Sequence, residues 1–225
     1  MKGILREGFK PRYSLEDSRL LGPDYTAFPM CCFCDIPISR IGDHAAFYGE
    51  YGMGMTRDWG QRNSLHPVIY AVPGAIVAES LTQIFEQSRE QKPEAKRTRE
   101  LMDDIAAQFL QIIPYVKPIA GNMLIGGSII EKEFSQENEW RFVPEPHQLA
   151  FKGNFSDKKE ELDQSVEDRA LKFTPTDVRY IFVKSDHDIP LVFDFLQANL
   201  GQFPMNDVKI LISRIVSLET LTRDI

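Results

Sequence analysis

Proline and glycine cut the apolar runs of this chain into short pieces, and that sets the scale of the elements it can form. Pro37 ends a run at 28–36, His66-Pro67 opens another at 68–72, and Pro73-Gly74 closes it. Apolar runs of this length between turn formers predict buried strands. Residues 5–9 read as the last turns of a helix capped by Gly8, with an extended stretch around Pro11. Residues 39–48 suit a short helix with Ser39 as N-cap. Gly52-Met53-Gly54-Met55 reads as a strand whose side chains stay small because something approaches closely.

Between about 76 and 116 the pattern turns helical in two parts, split by a charged run at 88–99 that reads as a solvated loop or helix start. Leu101, Ile105, Phe109 and Ile112 recur at helical spacing and are expected to face the core. Residues 139–143 read as a strand, with Trp140 and Phe142 on one face and Glu139, Arg141 and Val143 on the other. The acidic segment at about 154–169 is expected on the surface, as a loop or an exposed helix. A strand at 178–183, a helix at 189–200 closed by Gly201 and a last strand at 208–212 complete the reading. At 225 residues, one domain (1–225) with a helical insertion at about 76–116 is the default.

Composition narrows the functional classes. Hydrophobic residues at 43% provide for a sizeable core. The balance of 26 Lys+Arg against 33 Asp+Glu, net −7, argues against broad binding to phosphate backbones or anionic lipid. No stretch approaches the roughly 20 apolar residues of a membrane span, and the first residues lack the apolar core of a secretory signal, so a cytoplasmic protein is expected. Cys31, Cys32 and Cys34 are too few and too close for a disulfide framework. Cys32 and Cys34 share a strand face that Cys31 does not, so the group reads as a buried strand, and no metal is expected.

Two constellations could carry chemistry. The first is His44, Tyr48, Tyr51, Gly52, Gly54 and Trp59, where interleaved rings and glycines either line a cleft for a planar ligand or pack a helix on two strands. His44 and Tyr48, four residues apart, would share a helical face. The second is Glu131, Glu133, Glu137, Glu139 and Arg141. Crowded carboxylates would raise one pKa enough for acid–base work, or would pair with Arg141 and solvent lysines. Phosphate loops, Gly-x-Gly-x-x-Gly, His-Glu-x-x-His and Gly-x-Ser-x-Gly are absent from the sequence, which lowers hydrolase and Rossmann redox readings.

The runs Gly8-Phe9-Lys10-Pro11-Arg12-Tyr13, Met30 to Ser39 (Met-Cys-Cys-Phe-Cys-Asp-Ile-Pro-Ile-Ser), His44, Tyr48 to Gly54, Trp59-Gly60, Pro67 to Tyr70 and Glu137 to Arg141 together resemble the AbiGi family of abortive phage-infection proteins. That resemblance implies a bacterial phage-defence setting and an antitoxin label, with a cognate toxin as partner. More distantly, the chain is similar to ADP-ribosyltransferases of the DarT kind. This second resemblance implies an α+β fold with a bent, split antiparallel sheet like the ADP-ribosyltransferase core, helices packed on its sides. It also implies NAD as substrate and a nucleic acid or protein as target. Glu139 would then be the catalytic glutamate, with His44, Tyr48, Tyr51, Gly52, Trp59 and Arg141 around the NAD. In that pattern a His-Phe-Thr strand precedes the first helix, and here Met1 stands inside or just before that helix. The start is then either set too late or belongs to a member without the strand, for which a non-catalytic role is expected.

Overall fold

The computed structural model describes residues 1–18, 20, 25–90, 96–125, 128–145 and 148–224. In chain order they form α1 (Lys2–Glu7), β1 (Arg12–Asp17), β2 (Tyr25–Cys34), α2 (Ile41–Tyr48), β3 (Gly52–Met55), α3 (Arg57–Arg62), β4 (His66–Pro67) and β5 (Ile69–Ala71). Next come α4 (Ile76–Glu90), α5 (Lys96–Ile112), β6 (Val116–Pro118), β7 (Ala120–Ile125), β8 (Ser128–Glu133), β9 (Glu139–Phe142) and β10 (Ala150–Phe151). The chain ends with α6 (Lys152–Gln164), β11 (Val178–Val183), α7 (Ile189–Asn199), α8 (Met205–Ile212), β12 (Ile215–Ser217) and α9 (Leu218–Asp224). These elements fall into two compact units, each assembled from separate pieces of chain. One holds Met1–Lys10, Ile36–Leu65 and Asp168–Ile225, the other Pro11–Asp35 and His66–Glu167.

In the first unit α1 stops where expected, at Gly8. Its φ is +84° and its ψ −176°, and a Cβ there would run into the carbonyl oxygen of Leu171, so only glycine fits. The next residue, Phe9, exchanges both backbone hydrogen bonds with Leu171. The sheet of this unit runs β12-β11-β3, with β12 parallel and β3 antiparallel to the central β11. Val178, Ile181 and Val183 of β11 pack with Val192, Leu196 and Leu211 of α7 and α8. What approaches the glycines of β3 is now defined: a Cβ on Gly54 would lie 3.3 Å from the Tyr180 ring, with Phe182 alongside.

Two expectations for this unit are corrected. Residues 208–212 are not a strand but the second half of α8, which buries Val208 and Leu211 three residues apart and leaves Met205 and Ile210 exposed. A short apolar run does not by itself separate helix from strand; Pro204 at the start is the signal for the helix, and the strand comes later, as β12. Ser39 lies in a 3-10 turn, Ile38–Arg40, and the residue before α2 is Arg40, which makes no side-chain cap.

In the second unit the larger sheet runs β1-β2-β9-β4, with β10 also on β2, all antiparallel. Two small pairs accompany it, β5 with β6 in parallel and β7 with β8 antiparallel. The helical stretch is the connection between parallel neighbours: β5 leads into α4, and α5 leads into β6, the long crossover that parallel pairing requires. Phe85 of α4 stacks on Phe109 of α5 at 4.8 Å, over Phe28, Met30 and Val143. The expected α5 stripe is only partly core. Phe109 is buried, but Leu101 and Ile112 are 55% and 43% exposed, and the buried line continues through Ile113 instead. Of the charged run at 88–99, residues 91–95 lie outside the described residues and Lys96 onward is helical. The acidic segment is a helix as far as Gln164 and largely exposed, with Leu162 and Asp163 buried and Phe155 half-buried.

The class is therefore mixed α+β. In place of one bent, split antiparallel sheet, the described residues form several small sheets, two of which contain a parallel pair.

Candidate functional site

Polar side chains collect on one face of β9, and it is the buried face. Glu139 and Arg141 are 4% and 1% exposed, while Trp140 and Phe142 on the opposite face are half-buried. The alternation expected of this strand is present, with the charged side turned inward. Glu137 reaches the same place by a different route. It ends a 3-10 turn, Phe134–Glu137, and Asn138 follows at φ +44°, a conformation asparagine tolerates. Glu137 and Glu139 are therefore brought together by a left-handed residue and not by strand periodicity.

Around this kink six ionisable groups alternate in sign. Glu16 of β1 accepts from Arg141 Nη2 at 2.8 Å. Arg141 Nε donates to Glu139 Oε1 at 2.6 Å, and Lys117 Nζ of β6 donates to Glu139 Oε2 at 2.9 Å. Lys117 also reaches Glu137 Oε2 at 3.3 Å, and Lys132 of β8 closes the series on Glu137 Oε1 at 2.5 Å. Three acids and three bases sum to zero. Arg141 Nη1 donates to the Pro114 carbonyl at 2.6 Å, and Tyr70 Oη receives the Glu139 backbone N–H at 2.9 Å. Lys117 also lies over the Phe134 ring, its Nζ 4.2 Å from the centroid.

The electrostatics follow from that order. Burial alone would raise the Glu139 carboxyl, but the charge and hydrogen bonds of Arg141 and then of Lys117 outweigh it and hold the pKa at about 2. The net shift of Glu139 is downward, opposite to the rise that an acid–base role for this carboxyl would need. Burial lowers the Lys117 ammonium, yet Glu139, Glu16 and Glu137 together bring it above its ordinary value. Glu139 is thus an ionised carboxylate with both oxygens engaged by cations.

The cysteines border this face. Cys32 lies opposite Arg141 and Cys34 opposite Glu139 in the antiparallel register, while Cys31 is buried on the other side. Burial pushes the Cys31 thiol up to about 12, and burial with the nearby Glu137 and Glu139 does the same for Cys34, so neither is a thiolate at neutral pH. Among the described residues no group of three or more His, Cys, Asp or Glu side chains is arranged to hold a metal ion.

The other residues singled out by the sequence belong to the first unit. His44 and Tyr48 share a face of α2 as their spacing predicts, with ring centroids 4.6 Å apart. Tyr48 and Tyr51 are about half exposed. Tyr51 Oη donates to Asp188 Oδ2 at 3.2 Å. Gly52 sits on β3 beneath the Phe182 ring. Trp59 is 1% exposed: its Nε1 donates to the Lys172 carbonyl at 2.9 Å, and its ring meets Phe9. Glu139 and Arg141 belong to the second unit.

Lys117, Lys132, Glu16 and Tyr70 are the residues that sequence reasoning missed. The lysines expected to meet Glu137 and Glu139 from solvent are instead largely buried, at 13% and 12% side-chain exposure. One local signal existed, since Lys117 stands alone in the apolar run Tyr115-Val116-Lys117-Pro118, where a charge needs a partner.

The family described as "Putative abortive phage resistance protein AbiGi, antitoxin" matches residues 9–184, which take in β1 through β11. A curated protein of Lactococcus lactis subsp. cremoris, "Abortive phage resistance protein AbiGi", is 26% identical, the similarity covering 87% of this chain and 88% of that protein. No solved structure matches the chain. Among the described residues no helix is long and apolar enough to cross a membrane. The chain belongs to the AbiGi family of abortive phage resistance proteins.

Proposed function

We propose that this protein acts in phage resistance as an antitoxin, by binding a cognate toxin, and that the charge series on β9 is scaffold for that surface. The observation that carries this reading is the engagement of Glu139. A glutamate that is to hold a ribose hydroxyl of NAD and stabilise an oxocarbenium-like transition state must offer an oxygen to the ligand. Here Arg141 takes one oxygen and Lys117 the other, at 4% exposure. Freeing either would leave a buried cation short of its counter-charge, at a cost of several kcal/mol. Trp59, the largest ring of the ligand-lining set, is likewise closed into the core. The description of the family, with its antitoxin label, supports the same reading.

The competing reading is NAD-dependent ADP-ribosyl transfer to a macromolecule, with Glu139 catalytic and His44, Tyr48, Tyr51, Gly52, Trp59 and Arg141 around the NAD. One pair of assays separates them. Incubation with labelled NAD, mixed nucleic acid and lysate is expected to transfer no label, and the protein is expected to co-purify in fixed ratio with the product of a neighbouring gene. Label transfer that disappears in Glu139→Gln would replace the antitoxin reading with the enzymatic one.

A further inference from the structure

The sheet of the first unit ends at β3, and the register fixes which way the β3 backbone turns. Ile181, in the central β11, donates its N–H to the Arg214 carbonyl at 3.0 Å, on the β12 side. Successive residues of a strand turn their N–H and carbonyl to opposite sides, so Tyr180 and Phe182 turn theirs to β3, where they meet Gly54 and Gly52. Met53, between those glycines, therefore turns its N–H and carbonyl outward. Among the described residues nothing pairs with either group. Nor is this edge blunted against pairing. Gly52-Met53-Gly54-Met55 holds no charge and no proline, whereas the edge strand β1 carries Arg12, Glu16 and Asp17, and the edge strand β4 ends in Pro67. The half-buried Tyr180 ring leans over the strand, 3.3 Å from where a Cβ of Gly54 would stand, and Tyr51, just before the strand, is 50% exposed.

We propose that β3 takes up an extended segment of the cognate toxin as a fourth strand of this sheet, held by a pair of backbone hydrogen bonds to Met53, with apolar side chains laid against Tyr180 and Tyr51. The chemistry of the edge selects this occupant. A donor and an acceptor side by side are matched by an extended polypeptide, which offers the same two groups in reverse, whereas a helix uses its own internally. A phosphate backbone only accepts, and the net charge of −7 repels it. The same charge opposes pairing of this edge with a second copy of the chain and favours a partner of opposite sign. This inference rests on the antitoxin reading and names the strand through which the partner is held.

Residue-resolved amide hydrogen exchange of the full chain, alone and with the purified product of the neighbouring gene, tests it. Alone, the Met53 amide is expected to exchange faster than that of Gly52, which is bonded within the sheet. On binding, Met53 should slow by about tenfold or more while Gly52 changes little. Met53→Pro removes an outward donor that the sheet does not use, and should weaken binding by about tenfold or more in titration calorimetry. Met53→Ala, which keeps the N–H, should weaken it less, and Ile210→Glu, at an exposed position of α8, should leave it unchanged. If Met53→Pro does not fold, the exchange result on the wild type decides. A neighbouring product that does not bind at all fails the antitoxin reading and this inference with it. Binding that leaves Met53 exchanging as in the protein alone overturns this inference and spares that reading, and so does binding indifferent to Met53→Pro. Protection of Met53 that rises with the protein's own concentration, without the partner, would assign the edge to a second copy and equally overturn it.

Discussion

Glu139 shows what local pattern conveys about a residue and what it omits. That its side chain shares a face with Arg141 follows from strand alternation, and both are there. That the face is buried, and that Lys117 completes the pair from 22 positions away, depends on chain segments that no local pattern relates. Glu139→Gln removes one negative charge between two buried cations and is expected to cost about 3–5 kcal/mol, read from denaturant unfolding. Gly8 is a residue whose role was legible outright, because a helix end followed by a turn calls for a backbone that other residues avoid. Gly8→Ala should lose about 1–3 kcal/mol of stability by the same measurement, from the strained backbone and the encounter with the Leu171 carbonyl.

At the level of elements, β9 works as the centre of a charge series that also ties in β1, β6 and β8. Its pH window follows from the two shifted groups. Glu139 is lowered from 4.5 to about 2, so its contribution is complete above pH 4.5 and fades as pH falls toward 2. Lys117 is raised above 10.5, so its contribution is complete below pH 10.5 and fades as pH climbs beyond its folded value. Unfolding followed from pH 2 to 12 should show this network contributing across the middle of the range and losing hold at both ends. In Glu139→Gln the acid-side loss should shrink. Of the strands, β2, β3, β5, β9 and β11 were readable, β2 and β5 because proline bounds their apolar runs, whereas β7 and β8 were not read at all. The element read as the wrong type, α8, is an apolar run of a length that suits either structure, and its helical packing under β11 is decided by tertiary contacts.

For the whole molecule, mixed α+β class was visible in the alternation of short apolar runs with helical stretches, and the family in its joined motifs. The partition into two units was not visible, because each draws on distant pieces and the chain passes between them after residues 10, 35, 65 and 167. β2, at 25–34, is the partner of β1, β9 and β10, so a fragment of residues 66–167 lacks the strand that organises its own sheet. Circular dichroism of that fragment should show no cooperative unfolding, whereas the full chain should unfold cooperatively. The most direct test of the central claim combines two readouts on Glu139→Gln, Arg141→Met and the double variant: unfolding free energy and transfer of label from NAD. The account predicts no transfer by any form, including the wild type, and a double variant that loses about 1–3 kcal/mol less than the sum of the singles, as mutually dependent buried charges require. Wild-type stability in Glu139→Gln, together with a wild-type transfer activity that this variant abolishes, would contradict it.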